Sequence, residues 1–232
     1  MRKYHYFLTV CALLFSSSLW ALAPENQIQS YLQEMTAANN AHVHFLRKQN
    51  ISAMLNKQTP RATVVMCSDS RVQNEALSTA STNDMFIIRN IGNQLDTAKG
   101  SVEYGVRHLH TPLLLIVGHS DCGAIKAGLS DFRRETRHIR AELITLETDP
   151  KQTLEENIVH NVNQQVTHAM RRFEDLIKTD QLVIIGAIYD MHNTFGKGNG
   201  RLILININNN TSPESIKADK HLVGLEGLTI LY

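Results

Sequence analysis

The chain has 232 residues, 43% hydrophobic and 19% charged, with 23 Lys and Arg against 22 Asp and Glu. That length suits one domain, and the hydrophobic share fills a core, which excludes an intrinsically disordered chain. A net charge of +1 excludes a dedicated nucleic-acid binder, and three cysteines are too few for a disulfide-stapled miniprotein.

The chain opens on a basic pair, Arg2 and Lys3, then an apolar stretch from Phe7 to Phe15, a serine run, and Ala21-Leu22-Ala23. Basic start, short apolar run and A-x-A end predict a secretory signal peptide over residues 1–23, followed by a single domain over 24–232. The run is too short to cross a bilayer of about 30 Å as a helix. The expected location is therefore periplasmic or secreted. Removal of this segment leaves 21 basic against 22 acidic residues and two thiols, Cys67 and Cys122. In an oxidising compartment, two thiols alone would be read as one structural disulfide.

From Ile28 onward, Ile28, Tyr31, Leu32, Met35, Ala38, Phe45 and Leu46 fall at helical spacing. Ala62–Met66 is a short buried strand ending in Cys67, and Met85–Arg89 a second, ending in Asn90-Ile91-Gly92-Asn93. Gly100–His110 reads as a helix, Leu113–Val117 as the clearest strand, and a further helix begins near Cys122. A long amphipathic helix is predicted over Thr153–Lys178, its stripe running through Leu154, Ile158, Val162, Val166, Met170, Phe173 and Ile177. Leu182–Tyr189 and Arg201–Ile207 are the last strands, and the glycine-rich segment Phe195–Gly200 between them reads as a hairpin turn rather than a phosphate cradle. Short apolar strands alternating with helices predict an α/β fold, a mostly parallel sheet flanked by helices.

Three potential metal ligands stand at strand exits: Cys67, His119 and Cys122. In an open parallel sheet such exits gather at one edge. Two thiolates and an imidazole suit one Zn²⁺ in a tetrahedral arrangement, with the fourth position left for water or a carboxylate, as in a catalytic site. Two thiolates weaken the metal as a Lewis acid, so a neighbouring group must favour hydroxide there. Asp69, two residues past Cys67, is placed to accept a hydrogen bond from that hydroxide, and Arg71 can pair with Asp69 and hold it off the metal.

Cys67-Ser68-Asp69-Ser70-Arg71 together with Gly118-His119-Ser120-Asp121-Cys122-Gly123 resembles the signature of the β-class carbonic anhydrases. The resemblance spans about Ile28 to Ile207. It implies a pocket for CO2 shaped by Gln58, Phe86, Ile91 and Tyr104, with the N–H of Gly123 facing substrate. It further implies zinc-dependent, reversible hydration of CO2 to bicarbonate and a proton by attack of a zinc hydroxide, with Asp69 and Arg71 orienting the hydroxide. The family is also implied to assemble as a dimer or a dimer of dimers, each pocket lying at a subunit interface. Trp20, inside the predicted signal, is the only tryptophan. With Gln58 present as well, the chain is most similar to the plant-type subgroup, whose metal site stays open. A same-fold hydrolase of a CO2 analogue such as carbonyl sulfide would keep these residues, and a non-catalytic zinc-binding protein would keep the ligands alone. His108, His110, His138 and His160 fall on predicted helices and are expected to face solvent.

Overall fold

The computed structural model describes residues 25–48, 56–78 and 82–231, so the predicted signal peptide lies outside the described residues. The chain divides into two units, residues 1–55 and 56–232. In the first, the expected helix is present as α1, Glu25–Lys48. Its apolar residues Ile28, Tyr31, Leu32, Met35 and Phe45 are all exposed.

The second unit is built on a sheet of six strands: β1 (Ala62–Cys67), β2 (Met85–Asn90), β3 (Leu113–His119), β4 (Val183–Asp190), β5 (Arg201–Ile207) and β6 (Thr229–Ile230). Their order is β2-β1-β3-β4-β5-β6. The first four are mutually parallel, and β5 turns back antiparallel to β4 through the expected glycine-rich connection. Among the described residues, the α-helices that accompany this sheet are α2 (Lys99–Glu103), α3 (Gly123–Gly128), α4 (Arg137–Leu143), α5 (Leu154–Arg172), α6 (Glu174–Lys178) and α7 (Pro213–Ala218).

The strands form where apolar residues run without a break, because both faces of a central strand are buried. Every residue of β1 is buried. Helix α5 covers one face with Ile158, Val162, Val166 and Ala169, and a capping box at Thr153 and Glu156 satisfies its first turn. Close approach is possible because two strand positions carry no side chain. A Cβ at Gly118 would stand 2.6 Å from Val162 Cγ2, and one at Gly186 2.9 Å from Val162 Cγ1.

Two expected helices are interrupted. The helix expected over 153–178 breaks at Phe173, whose dihedrals (φ −117°, ψ 26°) leave the helical region before α6 begins. The break keeps Phe173 fully buried, with the Arg107 guanidinium 5.3 Å from its ring. The helix expected over 100–110 is α2 followed by a π-turn, Tyr104–His108, closed by Leu109 N–H donating to Tyr104 O at 2.9 Å. Any side chain at Gly105 would overlap Thr63 of β1, so the extra residue of the π-turn seats bare backbone on the sheet. His110 consequently lies beyond the helix at φ 57°. The helix expected to carry His138 is α4, whereas α7 and the two-residue β6 were not anticipated from the sequence.

Candidate metal centre and active site

Cys67 ends β1 in register with Asn90 of β2, and His119 ends β3 in register with Tyr189 of β4. The carboxyl ends of the parallel strands thus share an edge. After β3 the chain turns through Asp121 and enters α3 with Cys122 as the residue before the first turn. The Sγ atoms of Cys67 and Cys122 and a ring nitrogen of His119 lie within 4.8 Å of one another, all three residues buried. Both cysteines are free thiols rather than a disulfide.

The donors are oriented for a cation. His119 is fully buried, and its Nδ1 lies 3.0 Å from Ser120 O. A carbonyl only accepts, so Nδ1 carries the proton and Nε2 keeps a lone pair. That Nε2 is buried without a hydrogen-bond partner, a costly arrangement unless a cation occupies the position it faces. Backbone N–H groups of Gly92 and Asp69 point to the Cys67 sulfur, and those of Ala124 and Ile125 to Cys122 at the start of α3. The Cys122 thiol donates to Cys67 and lowers the Cys67 pKa, while the same contact and burial raise that of Cys122. Two soft sulfurs and one imidazole with this tautomer fit zinc.

Asp69 and Arg71 form a rigid pair beside the ligands. Arg71 donates from its backbone N–H and Nε to Asp69 Oδ1, at 3.0 and 2.9 Å, and from Nη2 to Oδ2 at 2.7 Å. This hydrogen-bonded guanidinium holds the Asp69 carboxyl well below the usual carboxylate range. Asp69 Oδ2 stands 4.0 Å from His119 Nε2, at the rim of the three donors.

The other residues implied by the resemblance divide into two groups. Ile91 follows Asn90 at the metal edge, half-buried against the core. Gly123 opens α3, where the first N–H groups of a helix have no partner within it, and a Cβ there would meet nothing within 4 Å. Phe86 and Tyr104 lie elsewhere, their ring centroids 5.7 Å apart. Phe86 pairs with Thr63, four residues before Cys67 in β1, which places it about 13 Å back along the strand. Gln58 is exposed in the segment leading into β1, where Thr59 N–H bonds Asn83 Oδ1 ahead of β2. These three residues therefore stand at the amino ends of the strands, and within one chain they do not meet the metal donors.

Several supporting residues escaped the sequence reading. Arg89 of β2 donates to the carbonyls of Cys67 (Nη2, 2.9 Å), Asp69 (3.0 Å) and Val72, and to Gln73 Oε1 at 3.1 Å, which fixes the loop bearing Asp69 and Arg71. Asn161 of α5 donates to Gly92 O at 2.9 Å and so steadies the turn whose N–H faces Cys67. An arginine at the end of an apolar strand, with carbonyl-rich loop beside it, was the one visible sign.

Soft donors gathered at the carboxyl edge of an open sheet mark a metal-dependent enzyme. The family model described as carbonic anhydrase matches residues 62–197, more than half of the chain. A carbonic anhydrase of Mycolicibacterium smegmatis is 44% identical over 80 residues, 34% of this chain and 39% of that protein. Carbonic anhydrase 2 of Mycobacterium tuberculosis is 29% identical over 148 residues, 58% of this chain and 72% of that protein. Among solved structures, a tetrameric β-carbonic anhydrase of Sordaria macrospora matches with a TM-score of 0.66 at 24% identity, over 76% of this chain and 98% of that one. A Coccomyxa β-carbonic anhydrase in complex with acetazolamide matches at 0.64 and 22%, over 80% and 90%. The chain belongs to the carbonic anhydrase family, and its fold is that of the β class. β-Carbonic anhydrases use zinc, and Cys67, His119 and Cys122 are the residues here that fit it.

Proposed function

We propose that the protein catalyses the reversible hydration of CO2 to bicarbonate and a proton, with one zinc ion per chain held by Cys67, His119 and Cys122. The observation that carries this reading is the convergence of those three donors beside an ion-paired Asp69. Zinc at this position supplies a Lewis acid that makes a water-derived nucleophile available near neutral pH. The protein's own residues do the rest. Asp69, ionised and fixed by Arg71, accepts a hydrogen bond from the attacking oxygen and aims its lone pair at carbon. The N–H of Gly123 is free to receive an oxygen of the developing bicarbonate. Ile91 supplies an apolar wall where CO2 loses its water.

Phe86, Tyr104 and Gln58 complete the pocket from a second copy of the chain, which accounts for their position away from the metal donors. The working form is a homodimer or a homotetramer. The pairing of Asp69 with Arg71 supports the open-site subgroup. Residues 1–23, read as a signal peptide, take the enzyme to the periplasm or the exterior, where the mature chain begins near Pro24.

The test is metal analysis of the purified mature protein together with stopped-flow CO2 hydration, with and without a zinc chelator. About one zinc per chain and hydration abolished by the chelator are expected. Zinc without hydration would reject the proposed reaction and leave the analogue hydrolase or a binding role.

A further inference from the structure

Between the two ligands at the exit of β3 the chain passes through Asp121 at φ 61°, a left-handed conformation that residues other than glycine adopt at a cost. The strained position is put to use. Asp121 Oδ2 accepts from Arg71 Nη1 at 3.0 Å, and its backbone carbonyl accepts from Arg71 Nη2 at 3.2 Å. Its remaining carboxylate oxygen accepts from Lys126 Nζ, one turn into α3. The same guanidinium holds Asp69 through Nε and Nη2. Arg71 is therefore gripped from two sides, and Lys126 steadies the outer grip.

A short distance makes this grip matter. Asp69 Oδ2 is 4.0 Å from His119 Nε2, whose lone pair faces the metal position. A carboxylate that close needs only a small rotation to become a fourth ligand and close the site. A lone exposed ion pair would be a weak restraint, but here both oxygens of Asp69 and both of Asp121 are engaged in one network.

We propose that Asp121, steadied by Lys126, is a positioning residue that fixes Arg71 and so keeps Asp69 off the metal, leaving the fourth coordination position open. The catalytic consequence rests on the carbonic anhydrase reading; the coordination consequence does not.

The variants are Asp121→Asn, which keeps size and removes charge, and Asp121→Gly, which keeps the left-handed backbone and removes the side chain. Both are loaded with zinc for kinetics and with cobalt(II) for visible spectroscopy, and the cobalt forms are titrated with azide. In the wild type azide enters the open position and shifts the spectrum. In both variants the metal content is unchanged, the azide response is lost, and kcat/KM for CO2 falls about tenfold or more. Asp121→Asn added to Arg71→Ala brings no further loss, because Asp121 acts through Arg71. A wild-type azide response in the folded variants would overturn the proposal. Should Asp121→Asn fail to fold, Asp121→Gly decides it. Should the zinc-loaded wild type fail to hydrate CO2, the proposed reaction falls, and the azide titration still decides the positioning role.

Discussion

Ser120 O, 3.0 Å from His119 Nδ1, sets the tautomer of the one imidazole at the site. One backbone carbonyl thereby turns Nε2 toward the two sulfurs as a donor. Asp69 is prepared in the same indirect way, its carboxyl held well below the usual carboxylate range by the Arg71 hydrogen bonds. Asp69→Asn keeps the shape and loses the anionic acceptor. Zinc content is expected to stay at about one per chain while kcat/KM falls by about a hundredfold, read by metal analysis and stopped-flow hydration. Unchanged kcat/KM would remove Asp69 from the mechanism. The ligands and this pair were legible in the sequence because each lies at or just past the end of an apolar run. Arg89 was not, since its work consists of bonds to carbonyls 17 to 22 residues away that only the β1–β2 pairing brings near.

Apolar runs located every strand from β1 to β5, although burial on both faces is complete in β1 and not in the edge strand β2. Periodicity could not locate the break at Phe173, since the stripe continues through a residue whose backbone leaves the helix while its ring stays in the core. Nor could it locate the π-turn, whose cause is the overlap a side chain at Gly105 would make with Thr63. The approach of α5 to the sheet is checked by Gly118→Ala. The added methyl meets Val162 Cγ2 on a fully buried, branched side chain that cannot retreat. A loss of about 2 kcal/mol in urea unfolding is expected, with partial recovery in Gly118→Ala/Val162→Ala. Helix α6 is tied to the π-turn by Arg107, which donates to both oxygens of Asp175 at 2.8 and 2.9 Å and lowers the Asp175 carboxyl to about 2. A folded value below the unfolded one means that this contribution is full above about pH 4 and is lost as pH falls through about 2. Urea midpoints of Asp175→Asn should lie slightly below wild type at pH 7 and converge with it as pH approaches 2. An equal gap at both ends would refute the ion pair as the cause.

For the whole molecule, the decisive arrangement is that one sheet carries the metal donors at its carboxyl end and Phe86 with Tyr104 at its amino end. Composition and periodicity gave the layers of this sheet but not the ends to which side chains were assigned. The register of β1 with β2 supplied that. If a second copy completes each pocket, a metal-free variant and a pocket variant should rescue each other. Cys67→Ser and the double variant Phe86→Ala/Tyr104→Ala, each inactive alone, are expected to regain activity when co-expressed. One completed pocket per mixed pair would give about half of wild-type turnover if two-fold pairing is maintained. No recovery in verified mixed oligomers would mean that each chain builds its pocket alone. The split sheet also bears on how much enzyme a given amount of protein represents. On the proposed pairing, a lone chain would hold two halves of two different sites, and specific activity would become a function of dilution. Below the dissociation constant of that pair, catalysis per chain would then decline with concentration.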